Sequence, residues 1–439
     1  MKDQIKQIVQ EKILSGMQRH LPAFTRRDVR IPLISGKAMT VIGMRRAGKT
    51  TFLHQVRSDR IREGAAPESL VYFNFEDERL AGFQAEDLHR ILSVHQRLYA
   101  LPEDVRSTFF LDEIQLVPGW ESFTRRLLDE DGCDLFLSGS SALLLSREIA
   151  SSMRGRGWEI NIQPFSFRES LRHRNLDIPG TPHRLTAREQ ASFDRYFREY
   201  LEAGGFPEAQ GLETIDRRQL LQGYVDSLLL RDVIERHRVT NPTALRWMTR
   251  RLLGNPGGLF SVTKFEADLK SQGIAVGRES LYQFLGHLED AFLLNAIPVA
   301  TDSEKRRQVN PRKIYPADPA IGPVFDRSAK ANLGHALEVA VQNELSRQGA
   351  ETAYVKTPEG FEVDFLSRNA DGTQWLIQAA VHVDDAETLG RECRALIAAK
   401  QFFAADRLLL LTGESRMPMP AVPKGIEVIP AWQWMLSHP

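Results

Sequence analysis

Residues 39–53 constrain the fold more than any other stretch, because they combine three consecutive features of one structural unit. Residues 39–42 are apolar or β-branched, as in a buried strand. Residues 43–50 match the pattern G-x-x-x-x-G-K-[ST] without a mismatch, and residues 52, 53 and 56 give the next segment an apolar helical face. A strand, a glycine-rich loop and a helix in this order predict an α/β fold built around a P-loop.

The loop supplies what triphosphate binding needs, namely many donors within a small space. Gly43 and Gly48 let the backbone curl until successive N–H groups point into one hollow, and the helix adds its N-terminal dipole. Lys49 is predicted to reach the β- and γ-phosphates, and the Thr50 hydroxyl to hold Mg²⁺. The alternative is a chance match in a glycine-containing turn. The other loop residues predicted to contact nucleotide are Arg45, Arg46, Ala47 and Thr51.

Two acidic residues follow a later apolar strand. Residues 70–76 and 108–112 read as strands separated by a helix at 86–98, which predicts a parallel sheet with right-handed crossovers. Ligands bind at the carboxyl ends of such strands, so Asp112 and Glu113 are expected beside the P-loop. Asp112 is predicted to share the Mg²⁺ with Thr50, and Glu113 to polarise the attacking water as general base. The alternative is that two acids merely end a strand.

The next predicted strand, residues 134–141, ends in small hydroxyl residues. Ser138 or Ser140 is a candidate sensor that hydrogen-bonds the γ-phosphate or the lytic water, with a helix N-cap as the alternative. Arg154 and Arg156 then lie between glycines, which suits an arginine donated to the phosphates of a neighbouring subunit. A surface turn is the alternative reading of these two arginines.

Composition narrows the class of protein. The 439 residues predict two to four domains, and 57 Lys+Arg balance 57 Asp+Glu, so no global basic charge points to nucleic acid. Only Cys133 and Cys393 are present, which excludes a disulfide framework or a Cys-rich zinc site and is typical of the reducing cytoplasm. No apolar run approaches the ~20 residues that span a bilayer. We therefore expect a cytoplasmic protein without a membrane partner. A local basic group, Arg26, Arg27 and Arg30, is either a contact to nucleotide or a neighbouring subunit, or a solvated loop.

Motifs along nearly the whole chain carry a resemblance to a known family. They are Met44-Arg-Arg-Ala-Gly-Lys-Thr-Thr, Tyr72-Phe-Asn-Phe-Glu-Asp-Glu-Arg-Leu, Leu111-Asp-Glu-Ile-Gln, Leu137-Ser-Gly-Ser-Ser, Arg154-Gly-Arg, Pro164-Phe-Ser-Phe-Arg-Glu and Gly204-Gly-Phe-Pro-Glu. Together they resemble the prokaryotic AAA+ ATPases that carry a C-terminal domain of unknown function numbered 4143. The resemblance implies that the nucleotide is ATP and that Arg156 is an arginine finger.

The resemblance also implies an α/β fold in four parts. Residues 1–163 are expected to form an AAA+ P-loop NTPase domain with a parallel sheet and an N-terminal helix. A helical lid with its extension is expected at 164–242 and a winged-helix-like module at 243–312. Residues 313–439 are expected to form a restriction-endonuclease-like α/β domain. The predicted recognition helix near residue 280 is almost neutral, so DNA binding and protein packing both stay open for the winged-helix-like module.

The C-terminal part resembles the PD-(D/E)xK nucleases in the order of its elements. A helix carries Glu338 and a strand carries Asp364, the two acids that would hold Mg²⁺ in such an enzyme. The next strand departs from the pattern, because Gln378 stands at the glutamate position and Ala380 at the lysine position. We therefore expect a retained fold that docks a protein partner in place of an active nuclease, with weak metal binding by Glu338 and Asp364 left open.

These features together predict an ATP hydrolase that couples Mg-ATP binding and hydrolysis to conformational switching or remodelling of a DNA or protein partner. Arg156 would complete the site of a neighbour, so a homo-oligomer is expected, with a hexameric ring as the candidate assembly. The alternatives are an ATP-dependent nuclease that uses the C-terminal domain and a nucleotide-gated interaction scaffold with little turnover.

Overall fold

The computed structural model describes residues 2–18, 23–32, 34, 36–102, 104–129, 132–139, 156–326, 332–383, 385–415 and 421–437. The chain divides into two compact units, Met1–Gln163 and Pro164–Pro439, called unit 1 and unit 2 below. No helix in the described ranges is long and apolar enough to cross a membrane. Ser140 and Arg154, both candidates from the sequence, lie outside the described residues.

Unit 1 alternates strands and helices after an N-terminal helix. Each of its strands is five residues long, which is an ordinary length for strands in a parallel sheet. Its main elements are α1 (Lys2–Gln18), β1 (Ala38–Ile42), α2 (Lys49–Arg62), β2 (Leu70–Asn74), α3 (His89–Leu98), β3 (Thr108–Asp112), α4 (Trp120–Asp129), β4 (Asp134–Ser138) and β5 (Gly157–Asn161).

The five strands of unit 1 form one parallel sheet in the order β2-β3-β4-β1-β5. Strands β1 and β3 are buried at every residue, as expected for a parallel sheet covered on both faces. The predicted α/β fold with a parallel P-loop sheet is confirmed. Strand β4 lies between β1 and β3. Its last residue, Ser138, therefore lies between the loop that follows β1 and the acids at the end of β3.

Unit 2 begins with helices. Side chains of Ser166 and Thr186 cap two of them, each paired with a glutamate three residues later in a capping box. The helices are α5 (Phe167–His173), α6 (Ala187–Ala203) and α7 (Thr214–Leu228), and α7 continues into a π-helical segment, Leu229–Glu235.

The middle of unit 2 combines five described helices with a small antiparallel sheet of order β6-β8-β7. The helix expected to be a recognition helix buries its apolar face, which consists of Leu281, Phe284, Leu285 and Leu288. The elements are α8 (Pro242–Leu253), β6 (Leu259–Phe260), α9 (Val262–Ser271), α10 (Arg278–Asp290), β7 (Leu294–Ile297), α11 (Glu304–Val309), β8 (Arg312–Pro316) and α12 (Ile321–Phe325).

The last part of unit 2 is a mixed five-stranded sheet of order β13-β12-β11-β10-β9. Strands β9, β10 and β11 are antiparallel, whereas β11, β12 and β13 are parallel. The elements are α13 (Leu333–Arg347), β9 (Glu351–Lys356), β10 (Glu362–Arg368), β11 (Gln374–Ala380), α14 (Ala386–Lys400), β12 (Arg407–Thr412), β13 (Ile426–Pro430) and α15 (Ala431–Ser437).

Helices from the two ends of unit 2 share one hydrophobic core. Phe167 and Phe197, on α5 and α6, are buried together with Leu337 of α13 and residues of α15. The rings of Phe193 and Trp432 stack with centroids 5.1 Å apart, and the Trp432 indole N–H donates a 2.8 Å hydrogen bond to an Asp194 carboxylate oxygen. The first helices of unit 2 therefore share one hydrophobic core with its C-terminal part. The expected division at residues 242 and 312 stays a prediction.

Candidate nucleotide-binding site

The P-loop has the backbone that its glycines predict. Gly43 and Gly48 adopt φ values of 142° and 103°, in the region where side chains are disfavoured. A Cβ on Gly43 would lie 2.1 Å from the Ile162 carbonyl oxygen, so no other residue fits there without displacing backbone. Arg46 adopts φ 66° although it is not a glycine, and Ala47 is fully buried. The loop therefore curls tightly between β1 and α2.

Lys49 begins α2 and turns back over the loop. Its side chain is buried, and its ammonium donates to the carbonyl oxygens of Gly43 at 3.0 Å and Met44 at 3.2 Å. These contacts hold the positive charge within the loop, where the phosphates of a nucleotide would lie. Thr51 is half-buried on the same turn of helix, beside exposed Thr50.

Asp112 is the centre of a hydrogen-bond network at the end of β3. Its fully buried carboxylate accepts from the Thr50 hydroxyl at 2.9 Å, the Tyr72 hydroxyl at 2.7 Å and the Asn74 amide at 3.2 Å. The Ser138 hydroxyl donates to its other oxygen. Four described side chains thus hydrogen-bond the carboxylate that the sequence predicts to be a metal ligand.

The oxygen atoms of Thr50 and Asp112 fit a magnesium ion. Two oxygens at adjacent corners of an octahedron with ~2.0–2.1 Å bonds lie about 2.9 Å apart, which is also the Thr50–Asp112 distance of 2.9 Å. Among the described residues no group of three or more His, Cys, Asp or Glu could hold a metal by itself. This fits Mg²⁺, which binds through one or two protein oxygens and completes its shell with waters and phosphates.

Glu113 sits next to Asp112 in a left-handed backbone conformation, with φ 57°. The left-handed conformation gives the Glu113 side chain a different direction from that of Asp112. Strained backbone positions of this kind occur at functional sites. Burial raises the pKa of the Glu113 carboxyl above its ordinary value, although the nearby Lys49 charge opposes the shift. The Gln115 amide donates to one carboxylate oxygen. A carboxylate whose affinity for a proton is raised is a stronger general base.

Ser138 links the two acids. Its hydroxyl accepts a 3.1 Å hydrogen bond from the Glu113 backbone N–H while donating to Asp112. It reaches both because β4 lies next to β3 in the sheet. The structure therefore brings together Lys49, Thr50, Asp112, Glu113 and Ser138 at one edge, and the sensor role of Ser138 stays a prediction.

Arg156 lies at the opposite end of the strands, beside the amino end of β1. Its carbonyl accepts a 2.8 Å hydrogen bond from the N–H of Ala38, the first residue of β1, whereas the P-loop follows the last residue of that strand. The five residues of β1 separate the two ends of the strand by about 16 Å. The Arg156 side chain is 39% exposed and forms an ion pair with Asp129. It does not join the site of its own chain, and its role as a finger stays a prediction.

Sequence reasoning missed two residues that shape the site and left the role of a third, Arg27, open. Tyr72 and Asn74 alternate along β2 and face Asp112 because β2 neighbours β3, with Asn74 paired in register to Asp112. Their period-2 spacing at the end of a strand was the available signal. Buried Arg27 donates to the Ala47 carbonyl at 2.8 Å and to the Gln163 carbonyl, so it supports the P-loop from beneath. Arg26 instead pairs with Asp59 on the surface.

The candidate residues Asp364 and Gln378 in the C-terminal part also lie together, where hydrogen bonds within the protein hold them. The Gln378 carbonyl oxygen accepts from the Asp364 backbone N–H at 3.2 Å, and its amide donates to Glu392 at 2.9 Å. Both polar atoms of the residue at the glutamate position are thus engaged. Ala380, at the end of β11, supplies no charge at the lysine position.

The fold and the site define an AAA-type P-loop ATPase domain. The family model "AAA domain" matches residues 35–171, and "Domain of unknown function (DUF8612)" matches residues 194–329. The chain belongs to the same family as "Uncharacterized protein MJ1544" of Methanocaldococcus jannaschii, with which it is 31% identical over 422 residues, covering 94% of this chain and 91% of that protein. A relation to the expected domain numbered 4143 is not shown, since the matched model is a different one.

Other similar proteins span comparable lengths. An "Uncharacterized protein" of Haemophilus influenzae is 28% identical over 398 residues, covering 90% of this chain and 94% of its own. The Walker-type ATPase PABY2304 of Pyrococcus abyssi is 14% identical with a TM-score of 0.41, covering 73% of this chain and 95% of that one. AMPPCP-bound DnaA from Aquifex aeolicus is 14% identical with a TM-score of 0.22, and the match covers 64% of this chain and 86% of the DnaA chain.

Proposed function

We propose that the protein is an ATP hydrolase that couples Mg-ATP binding and hydrolysis to conformational switching of a DNA or protein partner. The observation that carries the proposal is the continuous network from Thr50 through Asp112 and Ser138 to Glu113, beside Lys49 in the P-loop. These residues lie at the edge of a parallel sheet where ligands of such sheets bind, which supports giving them phosphate-binding, metal-binding and base roles.

The loop residues would bind the triphosphate. Backbone N–H groups of residues 43–50 and the dipole of α2 face the phosphates, and Lys49 exchanges its contacts with Gly43 and Met44 for the β- and γ-phosphates. Thr50 and Asp112 would hold Mg²⁺, which neutralises phosphate charge when bound. Tyr72 and Asn74 orient the Asp112 carboxylate through their hydrogen bonds.

Glu113 would act on the attacking water. Its carboxylate accepts the water proton as general base, and the burial that raises its pKa strengthens it for this step. Ser138 is bonded to both acids, so a change in the γ-phosphate reaches Asp112 and Glu113 through one hydroxyl. This supports a sensor role for Ser138.

Arg156 would act on the nucleotide of a second copy of the chain. Its position at the edge away from its own P-loop, together with its 39% exposure, supports donation to a neighbour. A homo-oligomer would then be required for full turnover, and a hexameric ring is the assembly we propose to test for. In the unassembled chain, the ion pair with Asp129 would hold the Arg156 side chain in place until a second copy binds.

The proposal is tested by measuring ATP turnover per subunit over a wide range of protein concentration. A finger that acts between subunits predicts that turnover per subunit rises with concentration and that Arg156→Ala abolishes the rise. Asp129→Asn is the matched control, because it breaks the same ion pair but keeps the arginine. A flat profile with a normal Arg156→Ala would contradict oligomeric turnover. Absence of hydrolysis throughout would favour the nucleotide-gated scaffold.

The partner is addressed in the same assay by adding double-stranded DNA. On the helix expected to recognise DNA, Arg278 is ion-paired with Glu266, so the charge offered to phosphates is reduced. Stimulation of turnover by DNA would make nucleic acid the partner, whereas no response would direct the search to proteins that bind unit 2. The ATP-dependent nuclease alternative is disfavoured by the engaged Gln378 and by Ala380.

A further inference from the structure

Lys313 connects the two sheets of unit 2 through a buried charge cluster. The residue belongs to β8 of the three-stranded sheet, and its ammonium lies 2.8 Å from a Glu362 carboxylate oxygen and 2.9 Å from Asp364 Oδ1. Both acids belong to β10 of the C-terminal sheet. The lysine side chain is only 4% exposed, so its charge is almost entirely neutralised by these partners.

A third carboxylate, that of Glu338, completes the cluster. The Tyr315 hydroxyl, also on β8, donates a 3.2 Å hydrogen bond to Glu338 Oε2. A Cβ on Gly257 would lie 2.5 Å from the same oxygen, so the backbone packs closely around this carboxylate. Burial raises the pKa of Glu338, the negative Asp364 raises it further, and Lys313 opposes the shift.

Asp364 is buried, whereas the Glu362 side chain is 38% exposed, so the need for a cation comes chiefly from Asp364 and its neighbour Glu338. Taking a carboxylate out of water without a compensating charge is unfavourable, and repulsion between neighbouring carboxylates adds to that cost. Burial lowers the pKa of Lys313, but Asp364, Glu338 and the hydrogen bonds to Glu362 and Asp364 raise it more, so the net pKa lies above the ordinary value. The two short ion-pair distances place this ammonium between the acids.

Both carboxylate oxygens of Asp364 already accept a hydrogen bond. Its Oδ2 accepts from the Ala379 backbone N–H at 3.1 Å, while Oδ1 accepts from Lys313. Gln378, at the position of the missing third acid, bonds to the Asp364 backbone and to Glu392. The two acids to which the nuclease resemblance assigns a metal, Glu338 and Asp364, thus lie around an ammonium.

We propose that the Lys313 ammonium is the resident cation of this acidic cluster, filling the position that a divalent metal would otherwise take and fastening β8 to β10. The native cluster then neither binds Mg²⁺ or Mn²⁺ nor supports metal-dependent cleavage of nucleic acid. The inference concerns unit 2 and does not depend on the proposed ATPase activity.

The test compares the melting temperature of the full-length protein, without nucleotide, with and without millimolar Mn²⁺. The variants are Lys313→Met, which keeps the length but removes the charge, and Lys313→Met combined with Asp364→Asn. Lys356→Met, an exposed lysine on the neighbouring strand β9, is the matched control. Because Mn²⁺ binding at Thr50 and Asp112 is the same in every variant, only a difference between the variants reports on the cluster.

We expect Lys313→Met to melt about 5–15 °C lower, as for breaking a buried ion pair, and to recover several degrees with Mn²⁺. Adding Asp364→Asn should remove the extra Mn²⁺ response and make the two losses non-additive. Should Lys313→Met fail to fold, Lys313→Arg should fold, and so should the double variant, which removes both charges. Lys356→Met should behave as the native protein.

Two results would overturn the proposal. One is a Mn²⁺ stabilisation of the native protein that Asp364→Asn abolishes, or DNA cleavage with the same dependence, since either requires a metal beside Asp364. The other is a Lys313→Met variant that melts like Lys356→Met, since the carboxylates would then not need the ammonium.

Discussion

The backbone N–H of Glu113 donates a 3.1 Å hydrogen bond to the Ser138 hydroxyl, which in turn donates to Asp112. The same side chain therefore fixes the backbone of the proposed base and the carboxylate of the proposed metal ligand. Since Ser138 ends β4 and the acids follow β3, the coupling depends on the order of strands in the sheet.

Ser138→Ala should slow ATP turnover while leaving ATP binding nearly unchanged. It leaves the Glu113 N–H without its acceptor and removes a donor to Asp112, which we expect to reduce turnover about ten- to a hundredfold. Ser138→Thr keeps the hydroxyl and is the control. Steady-state hydrolysis and nucleotide affinity are measured in parallel, and a normal rate in Ser138→Ala would remove the serine from the mechanism.

Lys49→Ala should abolish nucleotide binding. The variant leaves the phosphates without the buried ammonium that lies over the loop, which we expect to weaken binding about a hundredfold or more. Lys37→Ala, which changes a lysine before β1, is the control. Titration with a fluorescent ATP analogue provides the affinity, and hydrolysis by Lys49→Ala at the native rate would show that the site is elsewhere.

Glu113→Gln should bind Mg-ATP with native affinity but turn it over about 10²–10⁴-fold more slowly. The amide keeps the shape of the side chain and cannot accept the proton of the attacking water. Single-turnover hydrolysis after nucleotide binding separates the two steps, and unchanged turnover would assign the base to another group.

The pH dependence of turnover should report the raised pKa of Glu113. The base must be deprotonated, so a pKa raised by burial moves the acidic limb of the kcat profile above 4.5, the ordinary value for a glutamate. Activity should therefore decline at less acidic pH than an exposed carboxylate would produce. A limb at or below pH 4.5 would contradict the buried environment.

The stacked rings of His237 and His287 should make unit 2 less stable in acid. Their centroids lie 3.7 Å apart at an angle of 12°. Burial, then the charges of His287 and Arg236, lower the pKa of His237 to about 4, and burial lowers that of His287. A pKa below the unfolded value of 6.5 means that stability is complete above pH 6.5 and is lost as pH falls towards 4.

Melting temperatures measured between these pH values should fall in the native protein and fall less in His287→Phe. His183→Phe, at an exposed histidine, should retain the native profile. Equal profiles in all three proteins would show that the stacked pair does not titrate between the two pH values.

The nucleotide site was largely predictable because its motifs are local. Gly43 to Thr50 form one loop, and Asp112 follows one strand, so a sequence pattern and the rule for parallel sheets place them together. The contributions of Tyr72 and Arg27 depend on strand order and on a contact between residues 136 positions apart, from Arg27 to Gln163. A contact across that sequence separation leaves no pattern in a single sequence, and the spacing of Tyr72 and Asn74 identifies their partner only once the strand order is known.

In unit 2 the sequence identified Glu338 and Asp364 but not the lysine beside them. The pattern places a lysine two residues after the third acid, where this chain has Ala380, whereas Lys313 comes from β8 and reaches Asp364 across two sheets. A search by spacing cannot find a cation supplied by a strand some fifty residues earlier, since the sequence separation of 51 carries no geometric rule.

The core that α5 and α6 share with α15 has a consequence for the synthesis of the protein. Unit 1 closes its sheet within residues 38–161, so it can fold as soon as it leaves the ribosome. Phe193 and Asp194, in contrast, find their partner in Trp432, more than 200 residues later. At ~5–20 residues per second the first helices of unit 2 wait roughly ten to fifty seconds with their apolar faces uncovered, which makes this interval the time at which the chain most needs a chaperone.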